Sequence, residues 1–453
     1  MWFLAVPVPE AIKRAQMMGD FEEARRRIDQ FLTRPTVPEP VRLRLGFEGH
    51  RMDVLKHDYS YSEEEAQQKF FQSVNDSTPE EYDSLIAEGL LDSMVIDGKR
   101  RFAKRFVENL GFASEAHKNR MKEKDPFEIE GDKLRQEHLE RLARSEWPKR
   151  YRVQGEVRLR LTDDQVSGQT LRCWLPLPRE GDQQIRVRLL SASQPSYAVN
   201  PMFSEARSVY MEAPKSNDSI FWIRFQYLIR EWISQIDPLK IIPPRNPMDS
   251  FLQEEAPHIV FTPYLKFLAH RIVGSESNPY WKAKAIYEWI THHIRYSFMN
   301  PYIVYEDLST FAAVEGRGDC GVMALLFITL CRIAGVPARW QSGWYANPIH
   351  CGNHDWALFW VEPYGWLPVD ASFGRRFRNE PIYHSFYFGN LDAFRMVSTA
   401  SFMAPLSPTK RFIRNDPYDH QAGEMETEDA AIRSHQLEST IRILAFEEDQ
   451  EIV

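Results

Sequence analysis

Cysteine is scarce in this chain: Cys173, Cys320, Cys331 and Cys351 are the four present in 453 residues. They have neither the density nor the spacing of a disulfide framework, which points to a reducing compartment, the cytoplasm, where a working thiol survives. Basic charge is also short. The formal net charge is −8, which leaves no overall field for phosphate backbones or anionic lipid, so neither nucleic acid nor membrane is an expected partner. No apolar run reaches the roughly 20 residues of a membrane-spanning helix. The opening Met1 to Pro9 is apolar but short, has no basic residues ahead of it and runs into Glu10 and Lys13, a poor secretion signal. Internal repeats and low-complexity tracts are absent. What remains is an ordinary globular mix, 43% hydrophobic and 26% charged, in a chain long enough for two or three domains.

Residues 1–150 carry helix signals. Ser62 precedes Glu65 by three positions, and Thr78-Pro79-Glu80-Glu81 places proline at the first helical position with Glu81 set to complete a capping box. A helical N-terminal domain is expected there. From residue 151 the period changes to two: Val153, Val157, Leu159 and Leu161 alternate with Arg152, Glu156, Arg158 and Arg160. Residues 151–235 therefore read as an antiparallel β-sandwich-like domain, with Cys173 on the inward phase of its strand. Pro238, Pro243, Pro244 and Pro247 mark a linker over 236–255. Residues 256–453 open with helices and turn to strands after about 340, so the whole is a multidomain α+β protein, its last domain a catalytic core with a C-terminal extension.

The chemistry gathers in that last domain. Gly316-Arg317-Gly318-Asp319-Cys320-Gly321 is a glycine-flanked turn, and the apolar run Val322 to Ala334 after it ends at Gly335-Val336-Pro337. Cys320 is thus expected at a helix N-terminus, where unpaired backbone N–H groups favour thiolate and can receive an oxyanion. Cys331, inside the same helix among leucines and isoleucines, is assigned to packing. Downstream, His354 to Val361 reads as a strand, Glu362-Pro363-Tyr364-Gly365 as a turn, and Trp366 to Asp370 as the returning strand. A base for the thiol and a carboxylate to orient that base are the partners a nucleophilic cysteine needs. A four-residue loop would set Asp370 opposite Ala357, on the wrong face for His354, so a bulge, an odd loop or strong twist is required.

Gly318-Asp319-Cys320 with its helix, Gly335-Val336-Pro337-Ala338-Arg339, Gly343-Trp344-Tyr345, His354-Asp355-Trp356 and Gly365-Trp366-Leu367-Pro368-Val369-Asp370 together resemble the successive signature blocks of the transglutaminase-like superfamily, bacterial type, over roughly residues 260–375. The resemblance implies a papain-like α+β core. It also implies roles: Cys320 as acyl-accepting nucleophile, His354 as general base and then acid, and Asp370 as the orienting carboxylate. Animal transglutaminases carry Gln before and Trp after the nucleophile, where this chain has Asp319 and Gly321, so protein cross-linking is not implied. Asp319 opposes thiolate formation unless it is turned away or paired.

The expected activity is hydrolysis of a peptide or amide bond, with a protein, peptide or small amide as substrate and no cofactor or metal. Two alternatives stand beside it, transfer of the acyl group to an amine and a non-catalytic binding or scaffold protein that keeps the fold. A metal site at His350, Cys351 and His354, with Cys320 or His293, is a weaker reading, because the spacing lacks the paired ligands of zinc signatures.

Overall fold

The computed structural model describes residues 2–122, 125–144, 148–163, 165–216, 219–242 and 248–450. The chain divides into two compact units, Met1–Lys124 with Arg295–Glu306, and Asp125–Ile294 with Asp307–Val453. The first is helical, as its pattern suggests, with helices Glu10–Met17, Phe21–Leu32, Glu39–Asp58, Glu63–Ser73 and Pro79–Ala87. Ser62 and Glu65 form the full capping box. At the second helix start only half of it forms: Thr78 accepts from the Glu81 N–H, but the Glu81 carboxylate turns to Arg120 at 2.5 and 3.0 Å. An arginine offers two charge-assisted bonds where the backbone offers one neutral donor.

The second unit holds three four-stranded antiparallel sheets. Two form the sandwich. One orders Glu424–Thr427, Thr170–Pro176, Ser208–Pro214 and Tyr197–Val199; the other orders Leu437–Glu448, Arg150–Leu161, Ile220–Arg230 and Gln184–Ala192. Their shared core contains the expected inward residues Val153, Val157, Leu159, Leu161 and Cys173. Glu156, on the outward phase, is nonetheless buried, because Arg158 and Arg224 fold over it at 2.5 and 2.7 Å.

The domain boundaries run differently from the sequence expectation. The helix Pro126–Ala143 belongs to the second unit, where Leu139 packs with Trp356 and Leu358. Strands Glu424–Thr427 and Leu437–Glu448, from the expected C-terminal extension, complete the two sandwich sheets. Of the linker, Pro238 opens a short 3-10 turn, whereas Pro243, Pro244 and Pro247 lie outside the described residues. Among the described residues, no helix is long and apolar enough to cross a membrane.

The third sheet orders Gly365–Val369, Cys351–Val361, Ala338–Ala346 and Arg395–Thr399. Side chains alternate along its central strand, and both faces are covered. Phe359 meets Phe327 of the buried helix Cys320–Ile333, while Trp356 and Leu358 pack on the far side with Leu139. Double coverage explains why Trp356 to Val361 is continuously apolar. Trp344 and Met396 join the sheet to the sandwich core. At Gly343, opposite His354, a Cβ would overlap the backbone carbonyl of Met396. Backbone cannot swing aside as a side chain can, so Gly343→Ala is expected to destabilise the protein by about 3 kcal/mol, read as a lower urea midpoint at unchanged m-value.

Candidate active site

Cys320 opens its helix, and Asp319 is the N-cap: its side chain accepts from the Val322 N–H at 3.0 Å and its carbonyl from the Met323 N–H at 3.0 Å. Among the described residues this leaves the N–H groups of Cys320 and Gly321 as the unspent donors of the first turn. Asp319 is therefore paired, yet its charge still bears on the thiol.

His354 and Asp370 come together across the hairpin. Val361 pairs with Gly365, so the loop is the odd one the geometry demands, Glu362, Pro363 and Tyr364. Continuing that register puts Asp370 opposite Trp356, on the face of His354. There Asp370 leaves the ladder to cap the helix Ala371–Arg376. His354 donates from Nε2 to Asp370 Oδ2 at 2.6 Å. The same oxygen accepts from Arg395 at 2.9 Å, while Oδ1 accepts from Ser372 at 2.8 Å and the Phe373 N–H at 3.0 Å. Four donors fill the carboxylate's acceptor sites. Burial would push Asp370 up, but the charges and hydrogen bond of His354 and Arg395 overcome it and hold the carboxyl well below its usual range. Phe373 stacks on the imidazole at 4.8 Å, fixing its plane.

The thiol does not join that pair directly. Consecutive residues of the strand point to opposite faces, so Asp355, not His354, faces the helix that Cys320 begins. Cys320 Sγ lies 3.6 Å from Asp355 Oδ2, and the Asp355 N–H also reaches the sulfur. Among the described residues no hydrogen bond joins Cys320 to His354. The expectation of a lowered thiol pKa is overturned as well. Burial pushes Cys320 up, and the Asp355 and Asp319 charges add to it, outweighing the helix start.

Arg395, Asp355 and Gln421 were missed in the sequence. Gln421 donates from Nε2 to Asp355 Oδ1 at 2.6 Å and to the His354 carbonyl at 3.1 Å. Arg395 had one signal, a lone arginine inside the apolar run Phe394-Arg395-Met396-Val397; Gln421 had none. Cys351 packs against the sandwich core, and no metal-binding group of three or more His, Cys, Asp or Glu occurs among the described residues. Cys173 and Cys331 are fully buried.

Residues 266–371 match the family model of the transglutaminase-like superfamily. They form a transglutaminase-like domain. A Haemophilus influenzae protein, described as uncharacterized, is 24% identical over 149 residues; the match covers 26% of this chain and 38% of that protein's length. A candidate cysteine protease from Cytophaga hutchinsonii aligns at 14% identity and TM-score 0.42, over 68% of this chain and 93% of its own. The periplasmic domain of TgpA from Pseudomonas aeruginosa aligns at 17% identity and TM-score 0.28, over 54% and 93%.

Removing one partner of a buried charge cluster strands the others. Arg395→Met would leave Asp370 and Asp392 uncompensated, and is expected to cost about 3–5 kcal/mol in denaturant unfolding. A second expectation concerns pH. Burial, with the Asp419 charge added, pushes Asp416 up to about 7, against about 3.9 unfolded. Stability tied to its protonated form is complete below the lower value and lost as pH rises through the upper one. Asp416 should therefore lower the melting temperature from about pH 4 to 7, levelling off above, and Asp416→Asn should remove that contribution.

Proposed function

We propose that the transglutaminase-like domain is a thiol-dependent acyl hydrolase acting on peptide or amide bonds. The observation that carries this reading is the His354–Asp370 bond of 2.6 Å. It engages Nε2 and leaves Nδ1 as the nitrogen for proton exchange with Cys320, whose helix start keeps unspent N–H donors. Asp370 acts on Cys320 across the site, so the pair and the thiol share one electrostatic environment. In the reaction, the Cys320 S–H swings away from Asp355 and gives its proton to His354 Nδ1. The sulfur then attacks the acyl carbon, whose oxygen takes the charge facing the Cys320 and Gly321 N–H groups. His354 returns the proton to the leaving amine, a thioester remains, and water activated by His354 releases the acid.

Hydrolysis is favoured over transfer to an amine. Gly321 follows the nucleophile where cross-linking enzymes carry tryptophan, and Trp340, Trp344 and Trp356, the nearby aromatics that could line an amine passage, are at most 1% exposed. The free thiols and the need to keep Cys320 reduced favour the cytoplasm. The substrate is proposed to be a protein, peptide or small amide.

A panel of acyl amides followed by intact-mass spectrometry tests the reading. A substrate should leave an acyl mass on Cys320 that hydroxylamine removes, and Cys320→Ala should carry none. His354→Ala is expected to lose at least about 10³-fold in kcat/KM, and Asp370→Asn a comparable or smaller factor. With a millimolar primary amine present, free acid should predominate. Full turnover in folded His354→Ala would refute the assignment; predominant amide product would make the protein a transferase.

A further inference from the structure

The strand that supplies His354 also presents Asp355 to the nucleophile, and Asp355 does not stand alone. Ser342, its cross-strand partner, donates to Asp419 Oδ1, which brings the Asp419 carboxyl against that of Asp355, where the two share a hydrogen bond. Two carboxyl oxygens at hydrogen-bond range need one proton between them. The donors around the pair decide where it sits. Asp419 Oδ1 accepts from the Ser342 hydroxyl and from the His420 N–H at 2.6 Å, so its negative charge is well supplied. Asp355 accepts from Gln421 at 2.6 Å and otherwise faces sulfur. The shared proton therefore belongs to Asp355, which donates it to Asp419.

Both residues are buried, Asp355 at 6% and Asp419 at 4% exposure, so solvent does little to relieve a second negative charge. The surrounding groups set the same balance. Asp319 at the helix start and Asp416 beside Asp419 add negative charge. Arg414 offsets Asp419 and Asp416 but also faces Glu424, which Lys410 pairs at 2.8 Å. His420 is held neutral by burial and Arg414, its pKa lowered to about 3. Asp370, across the site, is committed to His354 and Arg395.

We propose that Asp355, sharing one proton with Asp419, is a positioning residue that parks the Cys320 S–H away from His354 and sets the pH range over which the nucleophile ionises. With the pair singly protonated, the group nearest the sulfur is neutral and thiolate can form. When the pair loses that proton, a full negative charge arrives 3.6 Å from Sγ and suppresses thiolate. This inference rests on the reading of Cys320 as nucleophile and adds to it a second, opposing control.

The test needs no substrate. The rate of Cys320 alkylation by iodoacetamide, followed by peptide mapping across pH, reports the thiolate fraction. Asp355→Asn keeps the shape and removes the charge that arrives when the pair loses its proton, so the midpoint should fall by about one pH unit or more, a roughly tenfold faster reaction below it. Asp419→Asn removes the neighbour that forces Asp355 to stay protonated, so Asp355 ionises against the sulfur and the midpoint should rise. Opposite shifts are expected from paired carboxyls, whereas general loosening of the site would move both variants the same way. An unchanged midpoint in Asp355→Asn, or shifts of one sign, would overturn the proposal. Infrared spectroscopy of the unaltered protein supplies a second measurement that does not depend on a variant folding. A buried protonated-carboxyl band should persist above the pH at which Asp416 titrates and disappear only at higher pH, and the absence of that second carboxyl would likewise overturn the proposal. An acyl adduct on Cys320 with no alkylation shift would defeat this inference alone. Opposite shifts with no acyl adduct would defeat the hydrolase reading instead.

Discussion

A single carboxylate holds the second unit's chemistry in register. Asp370 is 0% exposed and ends a strand, caps a helix, fixes an imidazole and neutralises a buried arginine at once. An isolated carboxylate could not stay ionised in that setting, since removing its hydration costs several kcal/mol before any partner is counted. Two charged or charge-seeking partners and two neutral donors make the ionised form the stable one. They come from three places: the central strand, the edge strand Arg395–Thr399 and the first turn of Ala371–Arg376. Displacing any of these elements leaves the charge short of a donor, so the carboxylate enforces their mutual placement as much as it is served by it.

The two sides of the central strand carry opposite electrostatic designs. On the face of His354 the acid is depressed by the imidazole and the guanidinium that bond it, and its proton is gone. On the face of Asp355 the acids crowd one another, and burial retains protons among them. Cys320 is placed by its helix on the second face while its proposed base stands on the first. The resting thiol is thus a protonated one, bonded to Asp355.

Much of this was legible in the residues, and the gaps have physical causes. The glycine turn, the apolar run after it and the Gly335-Val336-Pro337 stop located the helix of Cys320, because start and stop signals are local. The parity of His354 and Asp370 was seen to need an odd loop; counting Gly365 in the turn hid that it already pairs with Val361. Arg395, Gln421 and Asp419 escaped because they act across distances in sequence that no local pattern encodes. The sign of the thiol shift failed for a related reason: the helix start and Asp319 were visible at Gly318 to Gly321, but burial, the largest influence, and the Asp355 charge come from tertiary packing. The closing strand Leu437–Glu448 did carry a period of two, with Leu437, Ile441 and Ile443 facing the sandwich, yet its partner lies far upstream.

That partnership shapes how the protein is made. Arg160 and Glu438, joined at 2.9 Å across the edge of the sandwich, are 278 residues apart in the chain. Closing a loop of that length costs on the order of 5 kcal/mol of chain entropy before the strand pairs recover it. During synthesis the helix of Cys320 and the hairpin of His354 leave the ribosome well before the strands that seal the sandwich, and Gln421 emerges between them. The sulfur of Cys320 is therefore exposed as part of an unfinished domain. Its high resting proton affinity, set by burial and by the Asp355 and Asp319 charges, becomes available only as the domain folds around it.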